Sequence, residues 1–174
     1  KAPGGMSELK CFTGVDLGVG DGLDDAETCL FTIAVDNRGR RIVCNIEAGR
    51  WTAPEIIDRL YRVYLAFDSV IAVEDNAAQK FLVQIADEKF PVSGITTTGK
   101  NKHHEQFGVE ALAVEIRNGQ WVLPSGASGK IHGVHEEGRA WVSEMLHYDP
   151  TAHTGDRLMA AWKAKEAARL FGMG

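Results

Sequence analysis

The sequence predicts an α/β fold, a mixed sheet of five or slightly more strands with helices on both faces. Three β-prone segments joined by short turns come first, which is typical of an antiparallel meander. Helices and strands then alternate, and crossover helices favour parallel pairing of the strands that they connect. The 174 residues, 44% hydrophobic and 25% charged, have the size and composition of one globular domain.

The first half of the chain contains the predicted meander and a helix that covers it. Residues 1–9 lack periodicity and are interpreted as a linker or cloning remnant, which leaves 10–174 as the domain. A helix is predicted over 52–67, because apolar residues recur at helical spacing and Thr52 is a suitable cap. The three strands are predicted at residues 11–17, 28–35 and 41–46.

The second half alternates between short strands and helices. Strands are predicted at residues 69–73, 91–97 and 121–123. Helices are predicted at residues 77–86, 105–117, 134–146 and 156–170. The acidic segment 18–27 and the glycine-rich segment 125–133 are predicted to be loops.

Composition also bears on the cellular location of the protein. No window holds the roughly 18 consecutive apolar residues of a membrane span, and no basic segment followed by an apolar run opens the chain. We therefore expect a soluble, intracellular protein. Cys11, Cys29 and Cys44 lie in strand-like segments without the spacing of a zinc site, so we expect them to be reduced, buried packing residues.

Acidic residues follow two of the predicted strands. Asp16 ends the first, and Glu74 with Asp75 follows the strand at 69–73. If these strands are neighbours, the carboxylates lie about 4.8 Å apart or somewhat more, and they repel each other unless a cation lies between them. Hard oxygen ligands suit Mg²⁺ or Mn²⁺, and two such ions about 3.5 to 4 Å apart can activate water and stabilise a leaving phosphate oxygen. Asp156, at the start of the last predicted helix, is the candidate third acid.

Each of these acids also has an ordinary structural interpretation. Asp156 alone is a common residue in the first turn of a helix, and Asp16 alone is a common turn residue at a strand end. Glu74 and Asp75 can cap a helix that follows them. The metal-site hypothesis therefore depends on all the acids lying together at the ends of neighbouring elements.

Three segments of the chain resemble a known family. The segments FTGVDLG, IAVEDNAAQKFLVQ and HTGDRLMAAW are similar, in order and spacing, to the three acidic motifs of the nuclease domain of tailed-phage terminase large subunits. The resemblance extends from about residue 11 to residue 170. It implies that 10–174 is a ribonuclease-H-like (RuvC-like) endonuclease domain that cuts double-stranded DNA by two-metal-ion phosphodiester hydrolysis, with Mg²⁺ or Mn²⁺ and two ions when DNA is bound.

The resemblance implies a role for each acid. Asp16 and Asp156 match the first and third catalytic, metal-binding residues. Relatives commonly have glutamate, any residue and asparagine in the second motif, which implies Glu74, although Asp75 serves if the register differs. Some relatives have two adjacent acids in the last motif, whereas here Gly155 precedes Asp156, and this departure bears on the second metal position.

Basic residues are few, and their distribution bears on DNA binding. The loop TTGKNKHH is similar to a family segment, and Lys100 and Lys102 are suited to contact phosphates, although a solvated loop is an equally good interpretation. Lys130, Arg139 and Arg157 are weaker candidates. The net charge of −5 is not that of a free-standing nucleic-acid binder, so we expect a neighbouring domain or partner to hold the DNA.

The resemblance also implies partners and a setting. It implies a packaging ATPase domain ahead of this one in the full protein, a portal, a small terminase subunit, and viral genome packaging in the host-cell cytoplasm without a membrane partner. We expect the isolated domain to be monomeric. We expect low sequence specificity, because no segment has the pattern of a base-reading element.

Three other functions are compatible with parts of the sequence. The segment GVDLGVGDG also resembles the first phosphate loop of actin-like ATPases and sugar kinases, although those proteins need two such lobes. No GxxxxGK[ST] loop is present in the sequence. A Holliday-junction resolvase with similar acids, and a non-catalytic module that docks DNA or a portal, are the other hypotheses.

Overall fold

The computed structural model of the protein describes residues 9–18, 27–76, 90–123 and 134–172. The predicted helix at 77–86, the predicted loop at 125–133 and most of the acidic segment 18–27 lie outside the described residues. The same holds for residues 1–8 of the predicted linker and for Lys130.

The core of the fold is a six-stranded mixed sheet with the strand order β5-β4-β1-β2-β3-β6. Strands β1, β2 and β3 form the predicted antiparallel meander, β4 pairs parallel with β1, and β5 pairs parallel with β4. The predicted mixed sheet is therefore confirmed, and β6, parallel to β3, is the additional strand. The bounds are β1 Lys10–Asp16, β2 Thr28–Val35, β3 Arg41–Gly49, β4 Val70–Glu74, β5 Val92–Ile95 and β6 Trp121–Val122.

The described helices are α1 Ala53–Phe67, α2 Gly99–Lys102, α3 Ala111–Arg117, α4 Val134–Leu146 and α5 Asp156–Phe171. The start of α1 follows from its sequence, because Thr52 and Glu55 form a capping box and a proline stands in the first turn. The bounds of α4 agree with the prediction. Within the described ranges, no helix has both the length and the apolar character needed to cross a membrane.

The helix predicted over 105–117 begins later than expected, at Ala111. The residues before it form turns instead, and the Val109 amide donates to the Lys102 carbonyl, seven residues earlier, at 2.7 Å. A Cβ on Gly108 would lie 2.5 Å from His104 backbone atoms, so the chain folds back on itself here. The prediction was wrong because the apolar periodicity of the segment does not reveal this non-helical close approach.

Helices cover both faces of the sheet, as predicted. On one face, α1 buries Ile56, Leu60 and Val63 against apolar residues of β1, β2 and β4. On the other face lies α5, which is buried without interruption from Leu158 to Ala167. Alternation along β1 directs Phe12 and Asp16 to the α5 face, because successive strand residues point to opposite faces.

Strand β1 and helix α5 approach each other at Gly14. A Cβ on Gly14 would lie 2.1 Å from the Ala160 carbonyl oxygen and 2.3 Å from the Ala164 amide nitrogen. Glycine on the strand and alanines on the helix therefore allow near backbone contact. This contact brings the side chains of α5 beside the C-terminal end of β1.

The cysteines are free thiols in the structure. Cys11 and Cys29 are buried, as predicted, and burial raises the pKa of the Cys29 thiol well above its usual value. Cys44 is only half-buried, unlike the prediction. It lies on β3, most of whose residues are half-buried, whereas almost every residue of β2 is buried.

Candidate active site

The first two predicted acids end neighbouring parallel strands. Asp16 is the last residue of β1 and Glu74 is the last residue of β4, and the register pairs Val15 with Val73 directly before them. Both carboxylates lie on the face covered by α5, where they contact the same residue of that helix, Lys163. The sheet therefore brings Asp16 and Glu74 together, as the sequence predicts.

The third predicted acid, Asp156, is the first residue of α5 and lies beside Asp16. Burial, the negative charge of Asp16 and a carboxyl–carboxyl hydrogen bond with Asp16 together raise the pKa of Asp156 to about 6. The negative charge of Glu144 acts in the same direction, while His153, whose Nε2 lies 3.8 Å from Asp156 Oδ1, opposes it. Asp156 thus has two negative neighbours, Asp16 and Glu144, and His153 as a nearby basic group.

The two adjacent acids after β4 have different environments. Glu74 Oε1 accepts a hydrogen bond from the Thr97 amide at 2.9 Å, and the Thr97 hydroxyl donates to Oε2. Asp75 accepts a hydrogen bond from the Thr96 hydroxyl. Glu74 also shares its contact with Lys163 with Asp16. The sequence does not decide between Glu74 and Asp75 as the second acid. In the structure, Glu74 is the one that belongs to the cluster of acids with Asp16 and Asp156.

A residue that the sequence analysis did not single out lies at the centre of the acids. The Lys163 ammonium nitrogen lies 2.9 Å from Asp16 Oδ1 and 3.5 Å from Glu74 Oε2, and its side chain is 4% exposed. A signal for it exists in the sequence. Lys163 stands seven positions after Asp156, which is the same helix face two turns on, within an otherwise apolar segment.

A cavity of about 440 Å³ opens over the cluster and is lined by Asp16, Glu74, Lys163 and Lys102, among others. Lys102, one of the two lysines predicted to contact phosphates, therefore lies in the same cavity as Asp16 and Glu74. Lys100 lines a separate cavity of about 470 Å³ with His103 and His104. The structure thus puts only one of the two predicted DNA-binding lysines next to the acids.

The acids differ in how well they could serve as ligands for a divalent cation. Within the described ranges, no three His, Cys, Asp or Glu side chains are grouped so that they could hold an ion on their own. Asp16 and Asp156 are adjacent, whereas Glu74 is held by Thr97 and Lys163. The donor chemistry nevertheless fits Mg²⁺ or Mn²⁺, because such ions are commonly held by one or two carboxylates, with water and substrate phosphates as the remaining ligands. The ammonium of Lys163 also demonstrates that a cation is accommodated among the acids.

The space next to Gly155, the residue before Asp156, is occupied by a side chain of α4. A Cβ on Gly155 would lie 2.3 Å from Glu144 Oε2, and the Leu158 amide donates to that same oxygen at 2.8 Å. A carboxylate from α4 thus occupies the space that a side chain at position 155 would take. Arg157 is an ion-pair partner of Glu144 and also of Glu27 and Glu137, so it is not available to contact phosphates as the sequence predicts.

The sequence matches no family model and no curated protein. Among solved structures, the chain is similar to the large terminase nuclease from thermophilic phage G20c, with a TM-score of 0.59 and 12% sequence identity. The similarity covers 91% of this chain and 82% of the phage nuclease chain. At this identity the comparison establishes architecture. The chain has the ribonuclease-H-like fold of a phage large terminase nuclease.

Proposed function

We propose that this chain is a divalent-metal-dependent endonuclease that cuts double-stranded DNA, with little sequence preference, during viral genome packaging. One observation carries the proposal. Asp16 and Glu74 share a contact with Lys163 at one edge of the sheet, and Asp156 lies beside Asp16, in a fold shared with a phage large terminase nuclease.

Each residue of the cluster has a task in this proposal. Asp16 and Asp156 hold the cation, and Glu74 is kept in place by Thr97. When bound, Mg²⁺ or Mn²⁺ lowers the pKa of a coordinated water and stabilises negative charge on the departing 3′ oxygen, with two ions in the DNA-bound state. Lys102, in the same cavity, contacts a DNA phosphate and fixes its position.

The proposed setting follows from the net charge and from the phage relative. A net charge of −5 opposes binding to DNA by this chain alone, so a packaging ATPase domain of the full protein, the portal or the small terminase subunit holds the DNA. We propose that the domain acts in the cytoplasm of the infected host cell.

The proposal is tested by plasmid cleavage with Mn²⁺, Mg²⁺, Ca²⁺ or EDTA. We expect the wild-type chain to relax and linearise supercoiled plasmid with Mn²⁺ or Mg²⁺, and Asp16→Asn and Asp156→Asn to lose this activity while remaining folded by circular dichroism. Asp58→Asn is a matched control, because this aspartate lies on α1 with 60% of its side chain exposed.

Other results would favour other functions. Normal cutting by Asp16→Asn contradicts the assignment. Selective cutting of four-way junctions identifies a resolvase, and ATP binding in equilibrium dialysis favours the kinase-like lobe. A folded wild-type chain that cuts with none of the metals favours a docking module.

A further inference from the structure

Lys163 is a buried cation whose position the proposed function does not explain. The residue is 3% exposed, and its nitrogen lies between Asp16 Oδ1 at 2.9 Å and Glu74 Oε2 at 3.5 Å. A buried charge is costly unless an opposite charge compensates it, and the two carboxylates do this for the ammonium. The same contacts compensate the carboxylates and hold β1, β4 and α5 together at this edge.

The positive charge in the cluster is unevenly distributed. Glu74 and one side of Asp16 face the ammonium of Lys163. The carboxyl of Asp156 instead has Asp16 and Glu144 as negative neighbours, with His153 at 3.8 Å as its nearby basic group. The side of Asp16 that faces Asp156, away from the ammonium of Lys163, is therefore the position that we assign to a further cation.

A divalent ion cannot share the space between Asp16 and Glu74 with Lys163. The ammonium already fills it at ion-pair distance, and two cations at such a separation repel each other strongly. Helical side chains tilt toward the N-terminus, so the Lys163 side chain is directed along α5 toward the end that carries Asp156. Lys163 is thus part of the cluster, because its ammonium occupies the space between Asp16 and Glu74.

We propose that Lys163 occupies one of the two cation positions of the cluster in the DNA-free protein, which then binds a single divalent ion between Asp16 and Asp156. The inference rests on the proposed nuclease function and deepens it. Lys163 is a positioning residue that holds Asp16 and Glu74 together before metal arrives. It also keeps the DNA-free site one ion short of the pair expected on DNA, so the second ion binds only when the ammonium moves aside.

The test counts Mn²⁺ ions on the DNA-free chain by calorimetry and by the EPR signal of unbound Mn²⁺, well above the pKa of about 6 of Asp156. We expect one ion on the wild type and two on Lys163→Met. Lys165→Met is the matched control, because Lys165 is an equally buried lysine of α5 that pairs with Glu115 at 2.7 Å, outside the cluster, and it should bind one ion.

Thermal unfolding supplies a second readout that does not need activity. In EDTA, Lys163→Met should unfold at a lower temperature than the wild type, since the carboxylates of Asp16 and Glu74 lose their counter-ion. Saturating Mn²⁺ should raise its midpoint more than that of the wild type. Lys163→Gln, which keeps a hydrogen-bond donor without the charge, replaces Lys163→Met if the latter does not fold.

The outcomes separate this inference from the proposed function. Two ions on the wild type, or one ion on the neutral Lys163 variant, overturn the role of Lys163 and leave a metal-dependent nuclease intact. No Mn²⁺ on either protein overturns both. One ion on the wild type and on Lys165→Met, with two on the Lys163 variant, supports the inference.

Discussion

At the scale of single residues, the alternation of strand β4 separates two adjacent acids that the motif alone does not separate. Ala72 faces α5 and Val73 faces α1, so Glu74 returns to the α5 face. Asp75 follows in a helical turn and accepts a hydrogen bond from Thr96. The direction of each carboxylate is thus a consequence of the period of the strand.

This difference predicts opposite results for two conservative variants. Glu74→Gln should reduce the rate of plasmid cleavage about 100-fold or more, because it removes a charge from the cluster. The cleavage rate of Asp75→Asn should stay within about threefold of the wild-type rate, because the Asp75 carboxylate is bound by the Thr96 hydroxyl at the edge of the site. Initial rates with saturating Mn²⁺ measure both. If Asp75→Asn is the inactive variant, the register of the second motif is shifted by one residue.

The pKa of Asp156 predicts how the metal-free protein responds to pH. An unfolded aspartate has a pKa of about 3.9, whereas burial and the neighbouring Asp16 raise that of Asp156 to about 6 in the fold. Between these values the folded state binds more protons, so this group lowers the free energy of unfolding as pH rises through the window. Below about pH 4, where both states are protonated, the effect is absent.

Asp156→Asn should remove this loss. In EDTA, the free energy of unfolding of the variant minus that of the wild type should be larger above pH 6 than at pH 4, by on the order of 1 kcal/mol. This value is discounted because 28% of the Asp156 side chain is exposed. Urea unfolding at the two pH values measures the gain. An equal difference at both pH values would show that the fold does not raise the pKa of Asp156.

At the scale of elements, the contact between β1 and α5 determines the site. Asp16 is at the end of the strand, and Asp156 and Lys163 are on the helix, so their distances depend on how closely the two elements pack. At Gly14 the two backbones come so close that no Cβ fits between them. A change there should therefore affect stability and metal binding together.

Gly14→Ala should destabilise the domain by about 1 to 3 kcal/mol, the usual cost of overpacking, because its Cβ would collide with the backbone of α5. We expect weaker Mn²⁺ binding in the same variant. Gly99→Ala is the control, since a Cβ at Gly99 meets nothing within 4 Å. Urea unfolding and Mn²⁺ titration compare them, and an unchanged Gly14→Ala would mean that α5 does not depend on this close approach.

At the scale of the whole molecule, if the chain binds DNA as proposed, the net charge of −5 should make binding by the isolated chain weak and dependent on a few local cations. Lys102 is next to the acids and Lys100 is in the neighbouring cavity. Their positive charge therefore has to act against the field of the rest of the protein.

Binding of DNA to the inactive Asp16→Asn protein in Ca²⁺ tests this balance. Replacing Lys102 by Ala should weaken binding similarly for unrelated sequences and reduce the slope of log affinity against log salt by about 1, as for one lost phosphate contact. Lys100→Ala should act in the same way. Lys10→Ala, at the opposite end of β1 from Asp16, should leave the slope unchanged. A slope that no lysine variant changes would mean that DNA contacts a different surface.

The sequence by itself determined the sheet and the element ends at which its acids lie. Strand periodicity and short turns predicted the meander, crossover helices predicted the parallel strands, and the positions of Asp16, Glu74 and Asp156 at element ends predicted their meeting. These are local properties, because each depends on a few consecutive residues whose period matches a strand or a helix. The start of α3 was missed for the same reason, since the turn at Gly108 depends on a contact that has no period.

Only the tertiary structure decided what lies between the acids. Lys163 reaches Asp16 across 147 positions of sequence, and Glu144 of α4 fills the space beside Gly155. Neither contact can be deduced from periodicity, because both depend on how closely α5 docks against the sheet and against α4. Local sequence specifies the direction of a side chain, whereas the partner that it meets is specified by packing between distant segments.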